Sequence, residues 1–328
     1  MKIKTAIVGL GRIASLLEDD ALREKPASHA GAISVNPDCI LAAGSDLDEE
    51  RRALFAARWG APVYADAEEM IRAHRPSILV IATHPDSHYH YCKLAVSSGI
   101  PTVISEKPLA DTLSDARKIT ALERQGLTII TNHERRYAAD YAEAKDVLSS
   151  GKLGSIVSAR TVLYMGKSKR LLDMFWHDGT HLADALMFLS GGVLKHKRHW
   201  GAKLTDSSGT AWLEGELHTE DDRKIPVLME VGSGRDHLVF ELEFSCTKGR
   251  LRIGNGIFEV WESRASPYAE HFRSLTKTKV GFEGATGYFA NMLVDAVACT
   301  RHPERVPVSS GRTGLAVIEY LHSVKAWR

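Results

Sequence analysis

The chain has 328 residues, 44% of them hydrophobic and 25% charged, enough to bury a sizeable core and to divide into two domains. Its 42 Lys and Arg against 41 Asp and Glu leave a formal charge of +1, so the composition gives no electrostatic reason to expect nucleic acid or an anionic membrane surface as partner. No apolar run approaches the roughly 18 residues of a membrane helix, and the four cysteines, Cys39, Cys92, Cys246 and Cys299, are scattered as free thiols in a reducing cytoplasm are.

The opening strand, Ile3–Val8, is apolar throughout its second half and reads as buried on both faces. Arg12 and then Glu18-Asp19-Asp20 interrupt the apolar stretch, which makes it a poor secretion signal. Gly9-Leu10-Gly11-Arg12-Ile13-Ala14 follows the strand at once, a G-x-G-x-x-A turn into a helix. Gly9 permits the tight turn, Gly11 lets backbone approach a pyrophosphate, and Ala14 lets a helix pack close to the strand. The pattern alone also fits a purely structural turn. Its place after an opening strand is the context of a dinucleotide loop, lined by Gly9, Leu10, Gly11, Arg12 and Ile13.

Residues 16–28 are polar and contain Pro26, and they read as an insertion before the helix resumes over His29–Val35. The next strand is predicted at 39–43. Asp46 stands just past it, where a carboxylate accepts hydrogen bonds from the adenosine ribose hydroxyls; the insertion explains why it comes later than about 20 residues after the glycines. No Arg follows Asp46 directly, and a carboxylate repels a ribose phosphate, so NAD is favoured and NADP remains possible. The other reading makes Asp46 the N-cap of a helix over 48–59.

Strands and helices keep alternating. Strands are expected at 61–64, 77–82, 101–104 and 127–131, and helices at Ala67–His74, 89–98 and 114–125, which implies a doubly wound parallel sheet with right-handed crossovers. Thr83-His84-Pro85-Asp86-Ser87-His88 is the loop at the carboxyl end of one strand, and Glu106-Lys107-Pro108 arrives at the end of the next. Ligands of such sheets bind outside the carboxyl ends of the strands, and a lysine held there shifts its pKa readily when partly buried. A solvated Glu-Lys pair capping the strand is the plainer alternative. His84 and His88 lack a fitting third ligand, so they read as polar lining of the cofactor cleft, with Thr83 and Pro85, rather than as a metal site.

From Asn132 the pattern changes. A helical stretch to about 149 gives way to strand-like segments at 156–164, 211–218, 224–230, 237–245, 249–253 and 257–262, then closing helices at 288–300 and 312–327. This reads as a second α+β domain, 132–328, with a large, mostly antiparallel open sheet, after a Rossmann domain at 1–131. One face of an open sheet needs covering, which predicts pairing with another subunit. Within this half, His177 and His181 are four apart and share a face if helical, with Leu182, Ala185 and Leu186 buried below. The chemistry they suggest is a general base, His181, assisted by His177 or Asp178. Metal binding by the two histidines and a polar helix start are the competing readings.

Taken together, Gly9-x-Gly11-x-x-Ala14, Thr83-His84-Pro85…His88, Glu106-Lys107-Pro108, Asn132…Arg135-Arg136-Tyr137 and Asp178-Gly179-Thr180-His181…Asp184 appear in one order. That ordered set resembles the glucose–fructose oxidoreductase / inositol dehydrogenase / MocA (Gfo/Idh/MocA) family over nearly the whole chain. The resemblance implies a nicotinamide cofactor, dimers or tetramers built through the second domain's sheet, a lysine at Lys107 and a catalytic histidine at His181. Two departures stand out: the family writes Thr-Pro-Asn where this chain has Thr83-His84-Pro85, and its acid four residues before the histidine is here His177, with the acid moved to Asp178. A glycine-rich approach is replaced by Lys167, Lys169 and Arg170, cations that would meet an anionic substrate or simply solvent. The expected activity is interconversion of a secondary alcohol and a ketone on a sugar, cyclitol or sugar derivative. In it His181 takes the hydroxyl proton, Lys107 holds the same oxygen, and Glu106 orients Lys107 or contacts the nicotinamide ribose. A cofactor-binding sensor without turnover is the alternative, and an intact Lys107 and His181 argue against it.

Overall fold

The computed structural model describes residues 2–166 and 169–326. Six short strands form a fully parallel sheet: β1 (Ile3–Val8), β2 (Cys39–Ser45), β3 (Val63–Tyr64), β4 (Ile78–Ile81), β5 (Thr102–Ser105) and β6 (Thr128–Thr131). Helices α1 (His29–Val35), α2 (Glu49–Trp59), α3 (Ala67–His74), α4 (His88–Ser97) and α5 (Leu113–Ala121) alternate with them. Ile78-Leu79-Val80-Ile81 is buried at every position, as a strand covered on both faces must be. The strand order is β3-β2-β1-β4-β5-β6, so the chain reverses direction across the sheet at β1. The carboxyl ends of β1, β4 and β5 therefore deliver Gly9, Thr83 and Glu106 to the crevice such a reversal creates.

The second sheet follows α6 (Ala139–Ser149). It contains β7 (Ile156–Met165) and, after α7 (Leu171–His177) and α8 (Gly179–Ser190), the strands β8 (Val193–Gly201), β9 (Gly209–His218), β10 (Lys224–Ser233), β11 (Val239–Cys246), β12 (Gly249–Gly254), β13 (Ile257–Ala265) and β14 (Arg273–Val280). The order is β14-β13-β12-β11-β7-β10-β9-β8, antiparallel throughout except where β7 runs parallel to β10. Leu213, Val227, Met229, Leu242, Phe244 and Leu251 alternate inward onto a helix-covered core, while Glu214, Glu230, Glu243 and Arg252 alternate outward. Basic and Glu side chains pair across that outward face, as Lys197 does with Glu216 and Arg252 with Glu241 at 2.9 Å.

β8 and β14 were not expected as strands, and both are the edges of this sheet. Val-Leu-Lys-His-Lys-Arg-His-Trp-Gly and Arg-Ser-Leu-Thr-Lys-Thr-Lys-Val carry the charge that edge strands use to discourage further pairing, and this hides them from a search for apolar runs.

Two helices close the chain, α9 (Tyr288–Arg301) and α10 (Gly311–Ala326); the predicted end of the second at Trp327 lies outside the described residues. The compact units divide differently from the expected boundary at 131/132. One contains residues 2–138 and 285–318, the other 139–284 and 319–326. Phe289, Met292, Leu293 and Ala296 of α9 are buried in one core with Ile7, Ile33, Ile78 and Ile104. Tyr137 adds a hydrogen bond to Asp295 Oδ2 at 3.1 Å and accepts one from Ser309 N at 3.1 Å. Tertiary packing of a distant helix, not any local feature, sets this division.

Candidate active site

The glycine turn begins with Gly9 at φ 85°, in the left-handed region that favours glycine. A Cβ there would lie 2.7 Å from the Ala82 carbonyl oxygen and 3.0 Å from Thr83 Cγ2, so the loop after β1 is pressed against the loop after β4. Gly11 is the opposite case: a Cβ would meet nothing nearer than Arg51 Nη1 at 3.8 Å. One turn forms after it, with Ser15 N donating to Gly11 O at 3.1 Å, before the chain leaves for the inserted stretch. The helix proper resumes at His29, where Ala30 N donates to Ala14 O at 2.9 Å.

Asp46 is not the N-cap of α2; Asp48 is, accepting from Glu50 N and Arg51 N. Asp46 turns back onto the glycine loop instead. Its Oδ2 accepts from Leu10 N at 2.7 Å and its Oδ1 from Asp48 N at 2.9 Å. Two carboxylate oxygens have lone pairs left for further donors. The cations of α2 also come back to Asp46: Arg51 Nη1 lies 3.7 Å from Oδ2, and Arg52 Nη1 donates to the Asp46 carbonyl at 2.8 Å. Inspecting only the residue after Asp46 misses them, although the first turn of a helix starting at Glu49 brings Arg51 and Arg52 there. An open approach at Gly11, a glycine-only turn at Gly9 and a carboxylate over Leu10 fit a dinucleotide.

Beyond β4, the Thr83 and Ser87 hydroxyls pair at 2.6 Å, Ser87 Oγ donates to His84 O at 2.8 Å, and Pro85–Ser87 forms a single 3₁₀ turn. His84 is exposed. His88 is fully buried, with Nε2 3.2 Å from Thr83 O and Nδ1 3.2 Å from Ser105 Oγ and 3.1 Å from Leu109 O. Burial pushes the pKa of His88 down despite its backbone partners. A neutral ring satisfies Thr83 with its N–H and accepts from Ser105 with its other nitrogen. His88 thus ties the end of β4 to the end of β5 from inside.

At the end of β5, Glu106 N donates to Ile81 O at 2.9 Å, and the Lys107–Pro108 peptide is cis. Lys107 is partly buried. Glu106 is only 7% exposed. Its Oε1 lies 2.8 Å from His29 Nε2 and accepts from Asn132 Nδ2 at 2.6 Å, and its Oε2 accepts from Lys107 N at 3.2 Å. Burial pushes this carboxyl up, but the hydrogen bond and attraction of His29, with Asn132 and Lys107, more than offset it and hold it below the usual glutamate value. Sequence reasoning did not include His29 or give Asn132 a role here.

In the other unit, His177 and His181 do not lie on one helix. α7 ends at His177, and α8 starts at Gly179, with Asp178 between them. A Cβ at Gly179 would lie 2.4 Å from the Phe175 ring, so the chain breaks where only glycine fits. Thr180 Oγ1 donates to the His177 carbonyl at 2.9 Å, and His181 N donates to the Asp178 carbonyl at 3.2 Å. His177 Nδ1 and Asp178 Oδ1 are 3.0 Å apart, with the histidine largely exposed. Among the described residues no group of three or more His, Cys, Asp or Glu is placed to hold a metal ion. Of the expected cations, Lys167 lies outside the described residues, and Arg170 pairs through Nε and Nη2 with Asp173 at 2.7 and 2.9 Å.

The parallel sheet, its glycine turn and the acidic residue after β2 define a dinucleotide-binding fold. Residues 3–133 match the oxidoreductase family with an NAD-binding Rossmann fold, Gfo/Idh/MocA. That stretch of the chain is therefore similar to the cofactor-binding part of the Gfo/Idh/MocA oxidoreductases. Oxidoreductase YhhX of Escherichia coli is 35% identical over 108 residues, 31% of each chain. An inositol 2-dehydrogenase of Rubrobacter xylanophilus is 34% identical over 126 residues, 38% of this chain and 36% of its own length, so the matched segments span about a third of these relatives. A dehydrogenase from Chromobacterium violaceum shares the fold with a TM-score of 0.78 at 16% identity, over 99% of this chain and 95% of its own. An oxidoreductase from Agrobacterium radiobacter, solved with NAD+, L-tartaric acid and magnesium, gives 0.72 at 18% identity over 99% and 96%.

Proposed function

We propose that the protein interconverts a secondary alcohol and a ketone on a sugar, cyclitol or sugar derivative, using NAD in preference to NADP. The observation that carries this reading is the Asp46 carboxylate held 2.7 Å from Leu10 N beside the open Gly11, in the same parallel sheet whose strand β5 leads into Glu106 and Lys107. Gly9, Leu10, Gly11, Arg12 and Ile13 would take the pyrophosphate, and Asp46 the ribose hydroxyls. Thr83, His84 and Pro85 would line the nicotinamide side, with His88 holding Thr83 in place. Arg51 softens the exclusion of a ribose phosphate, so NADP binds more weakly rather than not at all. The bound nicotinamide supplies the hydride acceptor, and in the reverse direction the donor.

This chain's residues handle the proton and the charge. Lys107 donates from Nζ to the reacting oxygen and favours the developing alkoxide. His181 takes the hydroxyl proton as general base, with His177 or Asp178 assisting. The name of the inositol 2-dehydrogenase relative supports a polyol substrate. The charged outward face of the second sheet would pair with another copy as a dimer or tetramer, in a cytoplasm that suits four free thiols. The test is a panel of inositols, glycosides and sugar acids incubated with NAD, read as absorbance at the reduced cofactor's band. Turnover of at least one polyol is expected; bound NAD with no turnover across the panel would contradict the reading.

A further inference from the structure

The inserted stretch has a built structure of its own. Glu18 Oε1 accepts from Ala27 N and Ser28 Oγ, each at 2.8 Å, and Ser28 caps α1 by accepting from Gly31 N at 3.1 Å. Lys25 Nζ adds bonds to the carbonyls of Glu18 at 2.7 Å and Asp20 at 2.8 Å. The result is that His29, the first residue of α1, is 2% exposed and pointed at Glu106. The edge of its ring stands against Phe289, with centroids 5.1 Å apart at 84°. A buried carboxylate is costly unless paired and hydrogen-bonded, and Glu106 spends one oxygen on His29 and Asn132 and the other on the backbone of Lys107.

We propose that His29 is a positioning residue for Lys107: by donating from Nε2 to Glu106 it fixes the carboxylate that in turn holds the Lys107 backbone, and the insertion exists in this chain to deliver it. The proposal rests on the reading of Lys107 as the residue that polarises substrate. Asn132 alone would leave Glu106 free to rotate about its Oε1 contact, and the Lys107 N–H would lose its acceptor. The donor must reach Glu106 from α1, which separates two amides of similar chemistry. The amide nitrogen of His29→Gln reaches the position of Nε2, whereas that of His29→Asn is one methylene short.

The experiment labels the protein's lysines with [13C]methyl groups, which keep the charge, and assigns the Lys107 signal by its loss in Lys107→Arg. Spectra are taken without cofactor, alongside NAD affinity and kcat on any polyol the enzyme turns over. In His29→Asn the Lys107 signal should move toward that of solvent-exposed lysines, and kcat should fall about 10- to 100-fold, because displacement of a catalytic group by about 1 Å costs up to 10²-fold. NAD affinity should stay within about threefold, and His29→Gln should keep the wild-type signal and most of kcat. Equal behaviour of the Asn and Gln variants, whether both silent or both impaired, would overturn the proposal. Lys107→Ala separates the underlying reading: full activity there would end the catalytic role of Lys107, while a Lys107 signal that follows residue 29 would still establish the positioning.

Discussion

The two glycines of the first turn make opposite demands, and substituting each with alanine should separate folding from binding. Gly9 has φ 85°, and a Cβ would stand 2.7 Å from the carbonyl oxygen and 2.8 Å from the carbonyl carbon of Ala82. Both are backbone atoms of the chain leaving β4, whose Ala82 N is bonded to Val8 O at 2.8 Å, so neither moves cheaply. The left-handed conformation costs alanine about 1–2 kcal/mol, and overpacking adds about 1–3 kcal/mol. Gly9→Ala should therefore destabilise the first unit by about 2–5 kcal/mol. Gly11 has no positive φ, and its Cβ would face open space short of a half-exposed Arg51 side chain at 3.8 Å. Gly11→Ala should leave stability within about 1 kcal/mol, as surface changes away from such features usually do. Yet the added methyl occupies the side from which a pyrophosphate approaches, so NAD affinity should fall at least about tenfold. Thermal or denaturant unfolding and an NAD titration on the same two proteins decide it. A Gly11→Ala protein as unstable as Gly9→Ala, or one binding NAD like wild type, would refute the assignment of this loop.

Lys107→Ala and His181→Ala should each lose at least about 100-fold in kcat while keeping NAD affinity, measured by steady-state kinetics beside a binding titration; retained turnover in either ends its catalytic role. Asp46→Asn removes one charged acceptor, a loss of about 1.5–3 kcal/mol where it meets a ribose hydroxyl, so NAD affinity should drop roughly 10- to 100-fold and the NAD-to-NADP preference should narrow. The Glu106 carboxyl is held below its usual value, so the stability it contributes is present above the unfolded glutamate range and is lost as pH falls through its folded value. Unfolding midpoints of Glu106→Gln and wild type should therefore converge as the pH is lowered below about 4.3, and curves that stay parallel would contradict the buried network. His196 is pulled down to about 4, first by burial and then by His199, so it penalises the fold only as pH drops below its unfolded value. His196→Gln should recover part of the stability lost between pH of about 6.5 and about 4.

Much of the first unit was legible because its signals are local. Four-residue apolar strands such as Ile78–Ile81, separated by helix-length segments, have few other solutions than a doubly wound parallel sheet. The turn at Gly9 and the place of Asp46 just past β2 were readable because both follow directly on a strand end. What escaped depends on distance or on disguise. β8 and β14 look polar because they are edges. Residues 285–318 rejoin the first unit through Phe289, Met292 and Leu293, whose amphipathic helix gives no hint of which core it fills. His177 and His181 have helical spacing, but the helix breaks at Asp178 because Gly179 lies against Phe175. His29 was invisible because its partner, Glu106, is 77 residues away and the intervening insertion reads only as polar chain.

The most direct test of the account is a fluorescence titration of the purified protein with NAD and, separately, NADP. Saturable binding of both, with NAD the tighter, is the predicted result and would place Asp46 at the ribose. Tighter binding of NADP would mean that Arg51 rather than Asp46 governs that end of the cofactor, and binding of neither would contradict the dinucleotide site and the oxidoreductase chemistry built on it.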